Sequence, residues 1–257
     1  MRIVAVIPAH LKSSRFPRKI VHKIYGLEMV EHVRRRVVLA DIFDDIFVVS
    51  CDDEILSLVN GYGGKGIKTF KNHFSGTSRV AEAIQNIDAT HIVLVQGDEP
   101  LILPNHLKRT FLMIEKEPDV AAWNATASLK SEIQLDRSSE VKCVVNSEGR
   151  ILYCFRKTPS FSNFTRQKKY IRKMLGLIAY TNETLLLYEK NSCSLLEDSE
   201  KIEQLRLIEN NIYFKSLDVE PSLPSINEYE DELEVLKYIE DNKNQKDLLE
   251  KVLSFKN

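Results

Sequence analysis

Short apolar segments alternate with amphipathic segments along the first half of the chain. The apolar segments predict strands at residues 3–7, 45–50, 67–70 and 91–95. The intervening segments place apolar residues three and four positions apart and predict helices at residues 29–39, 53–60, 77–87 and 105–115. This alternation is typical of βαβ units, so we predict an α/β fold with a mostly parallel central sheet and helices on both faces.

The second half of the chain has a different pattern, which is richer in strands. Strands are predicted at residues 121–128, 141–145, 151–155, 175–180 and 213–218, and helices at residues 200–209, 228–241 and 245–253. Residues 160–172 are polar and basic, and we expect a mobile loop or part of a dimer contact there. A smaller, strand-rich lobe is therefore expected after the α/β half.

Composition argues against several classes of protein. The 257 residues are 43% hydrophobic and 28% charged, and no apolar run reaches the roughly 20 residues that span a bilayer. A net charge of −1 gives no general attraction to nucleic acid. The first apolar segment is too short for a secretory signal, and the four cysteines follow no metal-binding spacing. We expect a cytoplasmic protein with reduced cysteines, no membrane insertion and no nucleic-acid partner.

The strongest local signal is Gln96-Gly97-Asp98-Glu99-Pro100, which follows the predicted strand at residues 91–95. In open α/β sheets, ligands bind at the carboxyl ends of the strands, where Asp98 is expected to lie. Gly97 allows close approach to the backbone, and Pro100 restricts the chain that follows. A carboxylate held there suits Mg²⁺ on the phosphates of a nucleotide. The alternative interpretation is an ordinary acidic turn.

The loop after the first predicted strand is rich in cations and hydroxyl groups. These side chains are Lys12, Ser13, Ser14, Arg15, Arg18 and Lys19. Their composition suits a triphosphate, because Arg forks and a Lys point charge can share its negative charge. The motif is not a P-loop, and a solvated basic loop is the alternative.

A second candidate loop, residues 73–79, precedes a predicted helix. Ser75 or Thr77 is suited to cap that helix, and Gly76 permits close approach to the backbone. Arg79 lies in the first turn, where a cation opposes the helix dipole unless it serves a ligand. Free amide groups there suit a base carbonyl or a phosphate, and a plain helix cap is the alternative.

Taken in order, the three loops resemble the 3-deoxy-manno-octulosonate cytidylyltransferases, also called CMP-Kdo synthetases. The shared motifs are Pro-Ala-x-x-x-Ser-x-Arg-x-Pro-x-Lys from Pro8, His-x-Ser-Gly-Thr-x-Arg from His73 and Val-Gln-Gly-Asp-Glu-Pro from Val95. Shorter matches, including Val141-Lys142 and Leu175-Gly176-Leu177, extend the resemblance to about residue 210.

The resemblance implies a Rossmann-like nucleotide-diphospho-sugar transferase fold. It implies a Mg²⁺-dependent transfer of CMP from CTP to a sugar acid, with release of pyrophosphate, for bacterial surface glycan or lipopolysaccharide biosynthesis. It also implies a homodimer and a single domain over residues 1–257. Within that domain we expect a nucleotide-binding half at residues 1–119, a sugar-acid and dimerisation half at residues 120–220, and C-terminal helices at residues 221–257.

The same resemblance implies roles for individual residues. The expected nucleotide-binding residues are Ser13, Arg15, Lys19, Ser75, Gly76, Thr77, Arg79 and Gln96. The expected sugar-acid-binding residues are Arg156, Glu203 and Gln204. Lys19 and Asp98 are expected to be catalytic, and Asp98 is also the expected metal ligand. Asn227 stands where the family has a second metal-binding Asp, with Asp218 or Glu228 as alternatives.

Departures from the family pattern leave the acceptor open. His10 replaces an Arg, Arg18 replaces a Gly, and Met174, Ile178 and Thr181 replace hydrogen-bonding or aromatic residues at the sugar pocket. Unpaired polar groups are costly, so these changes alter which acceptor groups can bind. A sialic-type acid or a phosphonate is one alternative acceptor, and a non-catalytic nucleotide-binding homologue is the alternative class.

Overall fold

The computed structural model describes residues 1–13 and 15–256. In this part of the chain, eleven strands form a nine-stranded sheet and a separate two-stranded hairpin. In chain order the strands are β1 (Ile3–Pro8), β2 (Lys23–Ile24), β3 (Leu27–Glu28), β4 (Asp45–Ser50), β5 (Lys65–Lys68), β6 (His91–Val95), β7 (Ala122–Ala127), β8 (Lys142–Val145), β9 (Ile151–Phe155), β10 (Ile171–Thr181) and β11 (Phe214–Asp218).

Helices connect most of the strands. Within the same described ranges they are α1 (Met29–Val38), α2 (Asp53–Gly61), α3 (Gly76–Ala83), α4 (Pro104–Lys116), α5 (Ile133–Asp136), α6 (Phe164–Gln167), α7 (Asn182–Lys190), α8 (Leu195–Glu200), α9 (Leu205–Glu209), α10 (Asp231–Asp241) and α11 (Lys243–Leu253). Short 3₁₀ turns lie at Lys19–Val21 and Ile84–Asn86. None of these helices combines the length and apolarity needed to cross a bilayer.

The large sheet has the strand order β11-β7-β10-β6-β1-β4-β5, with β8 beside β10 and β9 beside β8. β1 pairs in parallel with β4 and β6, and β4 pairs in parallel with β5. β10 runs antiparallel to both β6 and β7, whereas β7 and β11 are parallel. The predicted α/β fold with a mostly parallel sheet is therefore confirmed. The carboxyl ends of β1 and β6 lie at one edge, where such folds bind ligands.

Apolar side chains cover both faces of this sheet. In β1, Ile3, Ala5 and Ile7 belong to one core cluster, and Val4 and Val6 belong to the other. α1 and α4 contribute to the first cluster, and α3 and α7 contribute to the second. Because both faces are buried, the strand is a continuous apolar run instead of an alternating one.

Some predicted elements were displaced or wrong. The strand predicted at residues 67–70 is β5, which begins and ends two residues earlier. The helix predicted at residues 200–209 is shorter and begins at α9 (Leu205–Glu209), because Lys201 adopts a left-handed conformation with φ of 53° and ends α8 at Glu200. Residues 160–172 contain α6 and the start of β10, so they do not form one continuous loop.

Candidate functional site

A cavity of about 590 Å³ opens at the carboxyl end of β6. Its wall is built from the segment after β6, the loop before α3, the middle of β10, the residue after β9, and residues around α8 and α9. Seven of the predicted site residues line it: Ser75, Gln96, Asp98, Arg156, Glu203, Gln204 and Asn227. The fold thus brings together residues from both halves of the chain.

Lys19 connects the loop after β1 to the end of β6. Its Nζ lies 2.6 Å from Asp98 Oδ2 and donates to the Ile226 carbonyl at 2.9 Å. The Ile226 N–H in turn donates to the Asp98 carbonyl at 3.2 Å. These bonds hold the segment that carries Asn227 against Asp98, so the two predicted metal ligands belong to one local structure.

A second group of hydrogen bonds surrounds Glu203. Its carboxylate accepts from the Thr77 N–H at 3.0 Å and from Gln96 Nε2 at 3.2 Å. Burial raises the pKa of Glu203, and the N–H of Thr77 opposes that change. Thr77 is in the first turn of α3, where free amides and the helix dipole stabilise a negative charge. Ser75 caps the same helix by accepting from the Ser78 N–H at 3.2 Å.

Two glycines allow chain segments to approach one another here. A Cβ on Gly76 would lie 3.0 Å from the Gln96 side-chain amide and 3.1 Å from Pro8. A Cβ on Gly176 would lie 2.7 Å from Glu99 Oε1. Gly176 instead donates its N–H to Glu99 Oε1 at 3.0 Å and accepts from the Gln96 N–H at 2.8 Å. The close contact between β10 and the segment after β6 therefore requires glycine.

Arg156 directly follows β9 and uses its guanidinium to hold neighbouring carbonyls. Nε donates to Glu200 at 3.0 Å, Nη1 to Ser138 at 2.9 Å and Nη2 to Lys201 at 3.0 Å. A guanidinium has five N–H groups, so two remain for a ligand. Burial lowers the pKa of Arg156, and the positive charge of Arg15 adds to this effect.

Six charged residues of the cavity wall were not predicted as site residues. They are Glu99, Glu140, Lys173, Glu197, Asp198 and Lys201. Lys173 Nζ lies 3.1 Å from Glu140 Oε1. Burial, together with the charge of Asp98, raises the pKa of Glu99 to about 7. The position of Glu99 beside Asp98 was an available signal, whereas Glu140 and Lys173 meet only because β8 pairs with β10.

Several predicted nucleotide-binding residues lie outside the cavity lining. They are Ser13, Arg15, Lys19, Gly76, Thr77 and Arg79. Lys19 and Gly76 nevertheless contact lining residues directly. Thr77 is fully buried, and its backbone N–H is the group that reaches the site. Arg79 is also buried and donates to Thr69 Oγ1 at 2.8 Å, so it supports the loop after β5.

The loop after β1, in its described residues 9–13 and 15–19, makes contacts with several other segments of the chain. Arg15 pairs with Glu228 at 3.3 Å, and both side chains are about half exposed. Arg18 pairs with Glu54 on α2, and Ser13 Oγ accepts from a backbone N–H. Ser14 lies outside the described residues. Lys19 is the cation of this loop that reaches the end of β6.

The comparisons with known proteins decide the family. A cytidylyltransferase family model matches residues 4–218. The chain belongs to the cytidylyltransferase family. A 3-deoxy-manno-octulosonate cytidylyltransferase of Geotalea daltonii is 33% identical, over 86% of this chain and 91% of that protein. An 8-amino-3,8-dideoxy-manno-octulosonate cytidylyltransferase of Shewanella halifaxensis is 34% identical, over 81% of this chain and 86% of that protein.

A solved structure supports the same assignment. It is a CMP:2-keto-3-deoxy-manno-octonic acid synthetase complexed with CTP. Its TM-score to this cytidylyltransferase is 0.85 at 29% identity, and the match covers 94% of this chain and 99% of that chain. An inositol-1-phosphate CTP transferase from T. maritima, at 17% identity and a TM-score of 0.68, shares the fold.

The departures from the family pattern have different structural outcomes in this cytidylyltransferase. Met174 and Ile178 line the cavity, as expected for residues of an acceptor pocket. The expectation for Thr181 was wrong, because its side chain caps α7 by accepting from the Thr184 N–H and does not line the cavity. Desolvation, followed by the charges of Arg79 and Lys19, lowers the pKa of His10. The imidazole is therefore neutral at pH 7.

The oxygen donors near Asp98 can be sorted by position. Asn227 lines the cavity, whereas the two alternative ligands, Asp218 and Glu228, do not. Asp218 pairs with Arg172 at 2.6 Å at the end of β11. Among residues 1–13 and 15–256, no group of three or more His, Cys, Asp or Glu side chains comes together as metal ligands.

Proposed function

We propose that this nucleotidyltransferase transfers CMP from CTP to 3-deoxy-manno-octulosonate or a closely related sugar acid and releases pyrophosphate. One observation carries the proposal: a single cavity joins Gln96 and Asp98 with Arg156, Glu203 and Gln204. Relatives named for 3-deoxy-manno-octulosonate and for its 8-amino counterpart support this class of acceptor. The product would be a CMP-activated sugar for surface glycan or lipopolysaccharide biosynthesis.

The chemistry needs positioning more than covalent catalysis. The anomeric hydroxyl of the acid attacks the α-phosphorus of CTP in line, the bond to pyrophosphate breaks, and the hydroxyl proton is lost. Lys19 would neutralise phosphate charge at the end of β6. Arg156 would hold the carboxylate of the acid with its two remaining N–H groups. Gln96, Glu203 and Gln204 would form hydrogen bonds with hydroxyl groups of the two substrates.

The donor set near Asp98 fits Mg²⁺. The Asp98 carboxylate and the Asn227 amide are hard oxygen donors at one cavity. Mg²⁺ is usually held by one or two carboxylates together with substrate phosphates and water, so a single carboxylate is sufficient. When bound, the ion would neutralise charge on the triphosphate. Asp98 would be its main ligand, and Asn227 would be the second.

Pyrophosphate release tests this proposal directly. The purified protein is mixed with CTP, Mg²⁺ and one acid at a time: 3-deoxy-manno-octulosonate, its 8-amino counterpart, a sialic acid or a phosphonate. We expect release with at least one of the two octulosonates and none when the acid is omitted. Failure with every acid would contradict the proposal.

Two alternatives have specific support. Met174 and Ile178 give the cavity an apolar wall, which favours a sialic-type acid or a phosphonate with a less polar face. The same panel of acids separates these acceptors. Asn227 and the neutral His10 favour a non-catalytic homologue, which would bind CTP in calorimetry and release no pyrophosphate with any acid.

The proposal includes a homodimer that acts in the cytoplasm. The resemblance to the family supports both parts of this proposal. Exposed apolar side chains in the strand-rich half, such as Leu152 and Phe161, also support the dimer. Sedimentation should give twice the 29.6 kDa mass of the chain. A single species of 29.6 kDa would remove the dimer from the proposal.

A further inference from the structure

Lys142 on β8 is a fully buried cation behind the cavity wall. Its Nζ donates to three backbone carbonyls: Arg137 at 2.9 Å, Glu140 at 2.8 Å and Arg156. An ammonium has three N–H groups, so all of its donors are used. These carbonyls replace water, which allows the charge to remain in the interior.

The three carbonyls belong to two separate segments. Arg137 and Glu140 lie in the connection between α5 and β8, and Arg156 follows β9. Glu140 and Arg156 line the cavity, whereas Lys142 does not. Lys142 therefore acts on the site through the backbone of its neighbours.

Arg156 extends the same network to the far side of the cavity. Its guanidinium holds the carbonyls of Ser138, Glu200 and Lys201. The two cations thus join residues 137–140 to residues 200–201, which lead directly to Glu203 and Gln204. The described residues of the two nucleotide-side loops, 10–13, 15–19 and 75–79, contribute no carbonyl to either cation.

We propose that Lys142 is a positioning residue for the acid-binding side of the cavity, because it sets the places of Glu140 and Arg156. The inference rests on the proposed function, in which the acid binds beside Arg156 and CTP binds beside Gln96 and Asp98. Loss of Lys142 should therefore weaken binding of the acid and leave binding of CTP nearly unchanged.

The network has a pH dependence that a merely structural role would not give. Burial lowers the pKa of Lys142 to about 8. Glu140 before β8 and Asp136 of α5 oppose this change, and Arg156 after β9 and Lys173 of β10 add to it. Above pH 8 the side chain loses a proton, and one of its three carbonyls loses a donor. The KM for the acid should rise there, while the KM for CTP should not.

Steady-state pyrophosphate release tests the inference, with 3-deoxy-manno-octulosonate as the acid. Wild type, Lys142→Met and Lys215→Met are compared from pH 7 to pH 9. Lys215 is the matched control, because its largely buried ammonium pairs with Glu117 outside the cavity lining. At pH 7, Lys142→Met should raise the KM for the acid about tenfold, which corresponds to loss of hydrogen bonds to a charged group. The KM for CTP should change less than about twofold, and Lys215→Met should change neither value.

The remaining outcomes also decide the question. The rise in the acid KM above pH 8 should be present in wild type and absent in Lys142→Met. If the variant does not fold, the wild-type pH series decides. An equal rise in the KM for the acid and the KM for CTP would overturn the inference. So would an unchanged KM for the acid in the folded variant together with a wild-type KM for the acid that does not change with pH.

Hydrogen–deuterium exchange separates this inference from the proposed function. After correction for intrinsic rates, wild type at pH 9 should exchange faster than at pH 7 in residues 137–140 and 200–201, but not in residues 75–79. If no acid supports pyrophosphate release, the proposed function fails and the exchange result alone decides the role of Lys142. Unchanged exchange in residues 137–140 would then overturn it.

Discussion

Lys19 Nζ and Asp98 Oδ2 lie 2.6 Å apart, and Lys19 also binds the carbonyl of Ile226. The pair joins the loop after β1 to the end of β6 and to the segment that carries Asn227. Because the Lys19 side chain is only 12% exposed, water screens this attraction less than it would at the surface. The pair therefore marks the phosphate-binding and metal-binding end of the proposed site.

Replacing Asp98 by Asn should reduce turnover more than it reduces binding of CTP. The change removes a charge that the proposed Mg²⁺ requires, and we expect kcat to fall on the order of 100-fold, as for loss of one electrostatic group in an active site. Calorimetry with CTP in the absence of Mg²⁺ should show retained affinity. Asp53→Asn is the control, because Asp53 is 86% exposed and lies in an ion pair with Lys68 on the surface, away from the cavity lining. Full turnover by Asp98→Asn would contradict the assignment.

Gly176→Ala should damage the site and the fold together. The new methyl group would lie 2.7 Å from Glu99 Oε1 and 2.9 Å from Gln96 Cβ. Overpacking of this kind costs about 1–3 kcal/mol of unfolding free energy. Gly61→Ala is the control, because its methyl group would have no neighbour within 4 Å, and we expect up to about 1 kcal/mol of stabilisation. Urea unfolding and pyrophosphate release measure both effects, and equal behaviour of the two variants would contradict the contact.

Elements of the fold could be predicted from the sequence where a local pattern of apolar residues determines them, and not where other factors do. β1, β4 and β6 were predicted within one residue, because buried parallel strands are continuous apolar runs. α7 was not predicted, although the Thr181 side chain caps it by accepting from the Thr184 N–H. The break between α8 and α9 was missed because Lys201, which is not a glycine, adopts a positive φ.

Residues of the candidate site could be predicted only where they belong to a recognisable sequence motif. Gln96 and Asp98 were found because they follow a buried strand, and Arg156 and Glu203 came from the family resemblance. Lys142 matched the family in sequence, but its three carbonyl contacts depend on how β8 meets the connection before it and the residue after β9. Tertiary contacts of this kind leave no periodic signal in the sequence.

The stability of the lobe around α8 and α9 should depend on one buried ion pair. Arg206 binds the Glu197 carboxylate through Nε at 2.5 Å and Nη2 at 2.7 Å, and its guanidinium lies 3.9 Å from the Tyr188 ring centroid. Arg206→Met leaves a buried carboxylate unpaired, which costs about 3–5 kcal/mol. Lys201→Met is the control, because its pair with Asp198 is exposed and should contribute less than about 1 kcal/mol. Similar urea midpoints for the two variants would contradict this estimate.

His32 should make the fold less stable in acid. Its side chain is 1% exposed, and Nε2 lies 2.7 Å from the Ile24 carbonyl. Burial lowers the pKa of His32 to about 4, the Ile24 hydrogen bond opposes that change, and the charges of Arg36 and Arg35 add to it. Below pH 6.5 the unfolded chain binds a proton at this residue, whereas the folded protein does not until about pH 4.

The free energy of unfolding should therefore fall with pH between pH 6.5 and pH 4 because of His32 alone, by at most about 1.4 kcal/mol for each pH unit. His32→Gln removes this titration, so the stability advantage of wild type over the variant should shrink by about 1.6 kcal/mol from pH 6.5 to pH 5. Urea unfolding at pH 6.5, 6.0, 5.5 and 5.0 measures the difference. Parallel stability curves for the two proteins would show that His32 has the same proton affinity in the folded and unfolded states, and that its burial does not contribute to acid sensitivity.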